Sequence, residues 1–232
     1  MRLAAAVGLA LIGAALAALV WIDRLDGPGD RAIPVVSSAP QSLRIVALGT
    51  SLTYRALWPT RVAERLQGCM PSGKAVEVVR VARPGARSDW GLAQANEIAA
   101  IRPDLVIVEL TMNDADLHDG LWLWQSRANH QALMTRIRSL SPGTKFLFLT
   151  GNPVVGRAKI TRPLLPLYQR LYGRLAISES AGLVDGFSRW RDLGHLAPII
   201  SDGVHPDPKA EADLLTGPIF SAISVAFSMH CD

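Results

Sequence analysis

Short apolar runs rich in β-branched residues alternate with amphipathic segments from Arg44 to Phe227. That alternation restricts the chain more than any other feature. Arg44–Leu48, Val76–Val81, Asp104–Leu110, Lys145–Thr150 and Leu183–Asp185 read as strands, and Asp-Leu-Val-Ile-Val-Glu-Leu at 104–110 is the strongest of them. Trp58–Gln67, Trp90–Ile101, Ser126–Leu140 and Leu164–Ala181 read as helices, with a last helix within Asp207–Phe227. Gly182 is placed to cap the fourth of these. Strands that alternate with helices predict a parallel sheet covered on both faces. Right-handed crossovers then give a three-layer α/β/α sandwich of about five strands. In such sheets ligands bind at the carboxyl ends of the strands.

The N-terminus is of another kind. Leu3–Ile22 is uninterrupted apolar sequence, preceded by Arg2 and followed by Asp23, Arg24 and Asp26. As a helix at ~1.5 Å per residue it is long enough to cross a ~30 Å hydrocarbon layer. The bulky Val20, Trp21 and Ile22 offer no small-x-small cleavage site, so an uncleaved anchor is favoured over a removed signal peptide. The lone Arg2 would leave the rest of the chain on the periplasmic or extracellular side, and a cleaved segment would leave it secreted. The reading divides the chain into a segment 1–25, a Gly- and Pro-rich linker 26–42 that spaces the domain from the membrane, and a folded domain 43–232. The two cysteines, Cys69 and Cys231, would lie in an oxidising space, where they either pair or stay as thiols. The net charge of +4 comes from scattered basic residues without a run, which gives nucleic-acid binding little support.

Four strand ends carry residues with chemistry. Gly49-Thr50-Ser51-Leu52-Thr53 follows the first strand, and Ser51 there is either a nucleophile or a helix N-cap. It lies in neither a G-x-x-x-x-G-K-[ST] loop nor a G-x-S-x-G elbow. Gly85 follows the second strand, and Asn113 and Asp114 follow the third. Asp202-Gly203-Val204-His205-Pro206 precedes the last helix, with spacing that lets the Asp202 carboxylate bend back to the His205 ring.

Taken together, Ser51, Gly85, Asn113 and His205, in this order and each in its local context, resemble the SGNH branch of the GDSL esterase/lipase family from about Leu43 to Phe220. The resemblance implies a flavodoxin-like sheet and a carboxylic ester hydrolase without cofactor or metal. Ser51 would be the nucleophile, His205 the general base and Asp202 its partner. The backbone N–H groups of Ser51 and Gly85 and the Asn113 amide would form the oxyanion hole. Two positions depart from the family pattern. The signature acid before the serine is Thr50 here, which leaves the hydrogen bonding of that loop open. Thr111 stands where glycine is usual, and a positive φ there would conflict with its side chain.

Weaker candidates complete the reading. Trp58, Trp122 and Trp124 either line a substrate pocket or pack as ordinary aromatics. Arg157, Lys159 and Arg162 meet an anionic group or remain a solvated loop. His118, His130, His195 and His230 are expected on the surface or in loops, with Asp185 structural and Asp114 supporting the Asn113 loop. Gly85 is expected to tolerate no large side chain because substrate passes its backbone. The substrate is expected to be a small-molecule, lipid, lysophospholipid or acylated envelope-glycan ester. The same site could pass its acyl group to an acceptor hydroxyl as an O-acyltransferase. A catalytically silent envelope binding protein is the remaining alternative.

Overall fold

A computed structural model describes residues 2–36, 42–71, 73–229 and 231, with the backbone alone for residues 2–10. Five parallel strands form one sheet: β1 Leu43–Gly49, β2 Val76–Ala82, β3 Leu105–Glu109, β4 Lys145–Leu149 and β5 Gly182–Val184, in the order β2-β1-β3-β4-β5. The helices are α1 Arg2–Asp23, α2 Ser51–Arg55, α3 Trp58–Gly68, α4 Ser88–Ala93, α5 Ala95–Ala100, α6 Thr111–Asp114, α7 Leu123–Leu140, α8 Ala158–Thr161, α9 Leu165–Ser178, α10 Gly186–Asp192 and α11 Pro208–Ala226. This is the expected three-layer α/β fold.

The strand pleat sorts the core into two layers. Ile45, Ala47 and Ile107 point to the face covered by α3 and α11, where Val62, Leu66, Ile219 and Ile223 are buried. Val46, Leu48, Val106 and Val108 point to the opposite face, against Ile98 of α5, Met134 of α7 and Leu175 of α9. Both faces of β3 are therefore dry, which explains its unbroken apolar sequence. A third cluster, with Leu52, Met112, Val154 and Phe187, closes over the carboxyl ends of the strands.

Several boundaries differ from the sequence expectation. The segment read as one helix, 90–101, is two, because the Gln94 N–H is shared between the Trp90 and Gly91 carbonyls and the turn tightens there. Helix α7 starts at Leu123, where the Gln125 side chain accepts the Trp122 N–H. Gly182 caps no helix; Ser180 makes the left-handed turn after α9 at φ 49°, and Gly182 opens β5. A Cβ on Gly182 would lie 2.4 Å from Ile33 Cγ1.

That contact corrects the linker reading. Residues 27–36 do not behave as a free spacer but lie along the body. Arg31 exchanges both backbone hydrogen bonds with Leu183 and so covers the β5 edge. Ile33 is 1% exposed within the α3/α11 core layer, and Asp30 pairs with Arg189 at 2.6 Å. The rest of the expected linker, 37–41, lies outside the described residues. A disulfide joins Cys69, just after α3, to Cys231 and holds the C-terminal tail to the body. Helix α1 leaves this body with Leu16, Val20 and Trp21 exposed. Among the described residues no helix is long and apolar enough to cross a membrane, and the side chains of the first half of the expected anchor lie outside them.

The docked segment makes a measurable claim. Ile33→Ala should lower unfolding stability by about 2–5 kcal/mol in urea melts, the usual cost of emptying a buried isoleucine site. A free spacer would give no change.

Candidate active site

The strand order places the candidates together. β1 lies between β2 and β3, so the loop after β1 is flanked by Gly85 after β2 and Asn113 after β3. The chain also reverses its direction of travel across the sheet between β1 and β3, where clefts open in parallel sheets.

Ser51 is the first residue of α2 and not its cap. Thr50 caps, with its Oγ1 accepting the Leu52 N–H at 3.1 Å. Ser51 is thereby free of capping duty, and its Oγ lies 2.7 Å from His205 Nε2. The other ring nitrogen, Nδ1, lies 2.7 Å from Asp202 Oδ2. Asp202 also accepts the N–H groups of Val204 and His205 at 2.9 and 2.7 Å. The intervening Gly203 makes this turn at φ 90°, and a Cβ there would come within 2.9 Å of the Val155 carbonyl. The loop after β4 holds the turn from behind: Asn152 Nδ2 donates to the Val204 carbonyl at 2.8 Å, and Val155 N–H to Gly203. Partial burial works to raise the Asp202 carboxyl, but the N–H groups of His205 and Val204 and the imidazole outweigh it and hold it at about 2. Asp202 is thus a fixed anion facing the ring. A hydroxyl so linked to an imidazole and a carboxylate can pass its proton to the ring as it attacks an electrophile.

Gly85 has φ 72°, and nothing lies within 4 Å of where its Cβ would be. The positive φ alone favours glycine at this position, whatever passes its backbone. Asn113 sits in α6, its Nδ2 donating one hydrogen to the Ala86 carbonyl at 2.9 Å. That bond ties it to the Gly85 turn, and among the described residues the second amide hydrogen has no partner. Asp114 is buried and accepts the Ser88 N–H and the Ser126 hydroxyl, which fixes this loop to α4 and α7. Thr111 is not in the positive-φ region, and its hydroxyl donates to Gln169, so the departure from glycine causes no backbone conflict.

Other candidates do not join the site. Trp58 is 1% exposed, buried in the core layer beneath α3 and α11. Trp122 and Trp124 are exposed at the start of α7. His130 is buried, contrary to expectation: its ring bridges the Ser126 carbonyl and the Tyr172 hydroxyl and packs edge-on to Phe148. Burial pushes its pKa down against the pull of Asp114 and the Ser126 carbonyl. His118 and His195 are exposed, and His230 lies outside the described residues. Asp185 is structural, receiving the Gly29 and Ser188 N–H groups and the Thr150 hydroxyl. Arg162 and Lys159 are paired with Asp116 and Asp23. Among the described residues no group of three or more His, Cys, Asp or Glu is placed to hold a metal ion.

Two buried carboxyls escaped the sequence reading. Glu109 ends β3, and Glu211 stands in the first turn of α11, in the same small cavity as Ser51 and His205. Burial drives Glu109 up to about 7 against its hydrogen bonds from Thr50 and Thr53. Burial and then the Glu109 charge drive Glu211 to about 8, against Arg80. The only sequence signal was an acid at the end of an otherwise apolar strand.

The chain matches the GDSL-like Lipase/Acylhydrolase family over residues 38–212, most of its length. It belongs to that family. As a member it is an ester hydrolase. Its fold is shared with an acetylxylan esterase from Geobacillus stearothermophilus (19% identity, 84% of this chain and 98% of that one, TM-score 0.66). It is shared equally with a lipase/acylhydrolase from Enterococcus faecalis (17%, 82% and 98%, 0.66). An aryl esterase from M. smegmatis, solved with an inhibitor, is similar at 16% identity, 79% and 99% coverage and a TM-score of 0.61. No curated protein sequence matches the chain.

The raised Glu211 carboxyl has a consequence for stability. In the unfolded chain it ionises near its ordinary 4.5, whereas the folded protein keeps its proton to about 8. The folded state binds more protons across that window, so stability falls as pH rises through it. Glu211→Gln removes this loss. Its Tm relative to the parent protein should rise steadily between pH 5 and pH 8; a constant difference would contradict the assignment.

Proposed function

We propose that this ester hydrolase works through a Ser51 acyl-enzyme. The observation that carries the reading is the unbroken relay Ser51 Oγ, His205 Nε2, His205 Nδ1, Asp202 Oδ2, with both contacts at 2.7 Å. Ser51 Oγ attacks the ester carbonyl while His205 takes its proton through Nε2, then returns it to the leaving alcohol. Water, activated by the same ring, releases the acid. Asp202 accepts the Nδ1 hydrogen, sets the tautomer and stabilises the imidazolium. The tetrahedral oxyanion is met by the Ser51 and Gly85 N–H groups and the free hydrogen of the Asn113 amide.

The surroundings favour a short acyl group on a polar alcohol. The cavity in contact with Ser51 and His205 holds only about 10 Å³, about the room of one water, so it offers no bed for a long acyl chain. A polar recess of about 420 Å³ opens at Gly85, lined by Arg83, Arg87, Asp89, Trp90 and Asp119. The Arg83 guanidinium lies over the Trp90 ring at 4.9 Å, which covers that face of the ring and leaves charged and polar groups to meet the alcohol. An acetylated envelope glycan suits both features, and the esterase from Geobacillus stearothermophilus is described as acting on acetylxylan. A lipid ester would instead need the apolar groove of about 630 Å³ between α1 and the body, whose lining includes neither Ser51 nor His205. The apolar run Leu3–Ile22 supports a tether that keeps the domain at the outer face of a membrane.

Hydrolysis of p-nitrophenyl esters from acetate to palmitate tests the reading. Turnover should be greatest for acetate and absent in Ser51→Ala. An optimum at long chains would move the acyl group to the apolar groove. Asn113→Ala should lower kcat about 10²–10³-fold with the fold intact. A change confined to KM would remove the amide from the oxyanion hole.

A further inference from the structure

Glu109 is 2% exposed, and its Oε2 receives three hydrogen bonds from the segment that carries Ser51. The donors are the Thr50 N–H at 3.1 Å, the Thr50 hydroxyl at 2.7 Å and the Thr53 hydroxyl at 3.2 Å. Thr50 Oγ1 gives its hydrogen to Glu109 and so presents a lone pair to the Leu52 N–H. The bonded residues stand on both sides of Ser51, and one oxygen atom gathers them. Space around this turn is minimal, since a Cβ on Gly49 would lie 2.0 Å from Thr53 Oγ1. Among the described residues Glu109 Oε1 has no hydrogen-bond partner, so within them the side chain is anchored through the nucleophile turn. The acid that the family signature places before the serine is missing here, where Thr50 stands.

We propose that Glu109 is the positioning residue for Ser51: the acidic side chain absent from position 50 is supplied from the end of the neighbouring strand, and its acceptor oxygen fixes the turn that aims Oγ at His205. This rests on the reading of Ser51 as nucleophile. Glu109 touches no reacting atom. It acts by removing the freedom of Thr50 and Thr53, whose buried hydroxyls and N–H would otherwise each need another acceptor. Misplacing a nucleophile by about 1 Å can cost about 10²-fold in rate. The charged groups that face Glu109 are Glu211 on α11 and, beyond it, Arg80 on β2, with the Tyr172 hydroxyl on the α9 side.

The test compares Glu109→Ala and Glu109→Gln in the full chain by steady-state turnover of p-nitrophenyl acetate and by the rate at which a fluorophosphonate labels Ser51. Glu109→Ala should lose about 10–10² in kcat and in labelling rate, with KM within about twofold. Glu109→Gln keeps an acceptor oxygen in place and should recover most of both. Wild-type kcat in a folded Glu109→Ala protein overturns the proposal, and so does a Glu109→Gln protein as impaired as Glu109→Ala. If Glu109→Ala does not fold, Thr50→Val cuts the strongest of the three bonds at nearly constant shape. It should show the same kcat loss, and unchanged kcat would again overturn the role. Ser51→Ala in the same assay separates the two failures. Inert Ser51→Ala beside fully active Glu109→Ala refutes the positioning role alone, whereas turnover that survives Ser51→Ala removes both readings.

Discussion

Strand β1 is hydrogen-bonded along both edges, to β2 in register from Leu43 with Val76 and to β3 from Ile45 with Leu105. Sheet hydrogen bonds on two sides and helices on two faces leave the strand no freedom to slide, because a one-residue slip would turn Ile45 and Ala47 out of their core layer. Gly49 therefore ends opposite Ala82 and Glu109, and everything beyond it inherits that alignment. Ser51 emerges between the Gly85 and Asn113 turns, and Glu109 arrives directly beneath Thr50. The His205 turn comes from far along the chain and is brought to the same edge by its bonds to the loop after β4. The site is a consequence of parallel register.

The acidic groups near the site show how environment divides one chemistry into several uses. Asp202 is half-exposed and receives two N–H groups and an imidazole, so its anion is held at low pH. Glu109 and Glu211 are sealed from water, and their charges are costly and repel one another, so they retain protons near neutrality. Asp114 is equally buried but satisfied by the Ser88 N–H and the Ser126 hydroxyl and acts as a brace. Of these four, Asp202 is the one hydrogen-bonded to the imidazole that meets Ser51.

The sequence revealed those parts whose signals are local. β1, β3, β4 and β5 were visible as apolar runs because they are largely buried, and the half-exposed edge strand β2 was visible through its four valines despite Glu77 and Arg80. The turn at Asp202-Gly203-Val204-His205 was visible because the partners lie three residues apart. What escaped depends on distant neighbours. Ile33 lies in a short Ala-Ile-Pro-Val-Val stretch with no periodicity, and the exposed β5 edge and the bare Gly182 backbone make a place for it. His130 looks like any helical histidine until Tyr172, forty-two positions away, supplies its partner. Trp58 was drawn into the site by its nearness in sequence to Ser51, yet α3 turns it into the core. Glu109 was hidden for the opposite reason, reaching Thr50 and Thr53 beside Ser51 from the neighbouring strand.

The central claim is that Ser51, aimed by this register, forms a covalent bond with an ester's acyl group. Intact mass measurement after rapid quench with an activated acetate ester, followed by peptide mapping, addresses it directly. A single acetyl group on the peptide containing Ser51, formed within one turnover and lost on further incubation, is the predicted result. Turnover with no acylated enzyme at any time, or the group on another residue, would contradict the account.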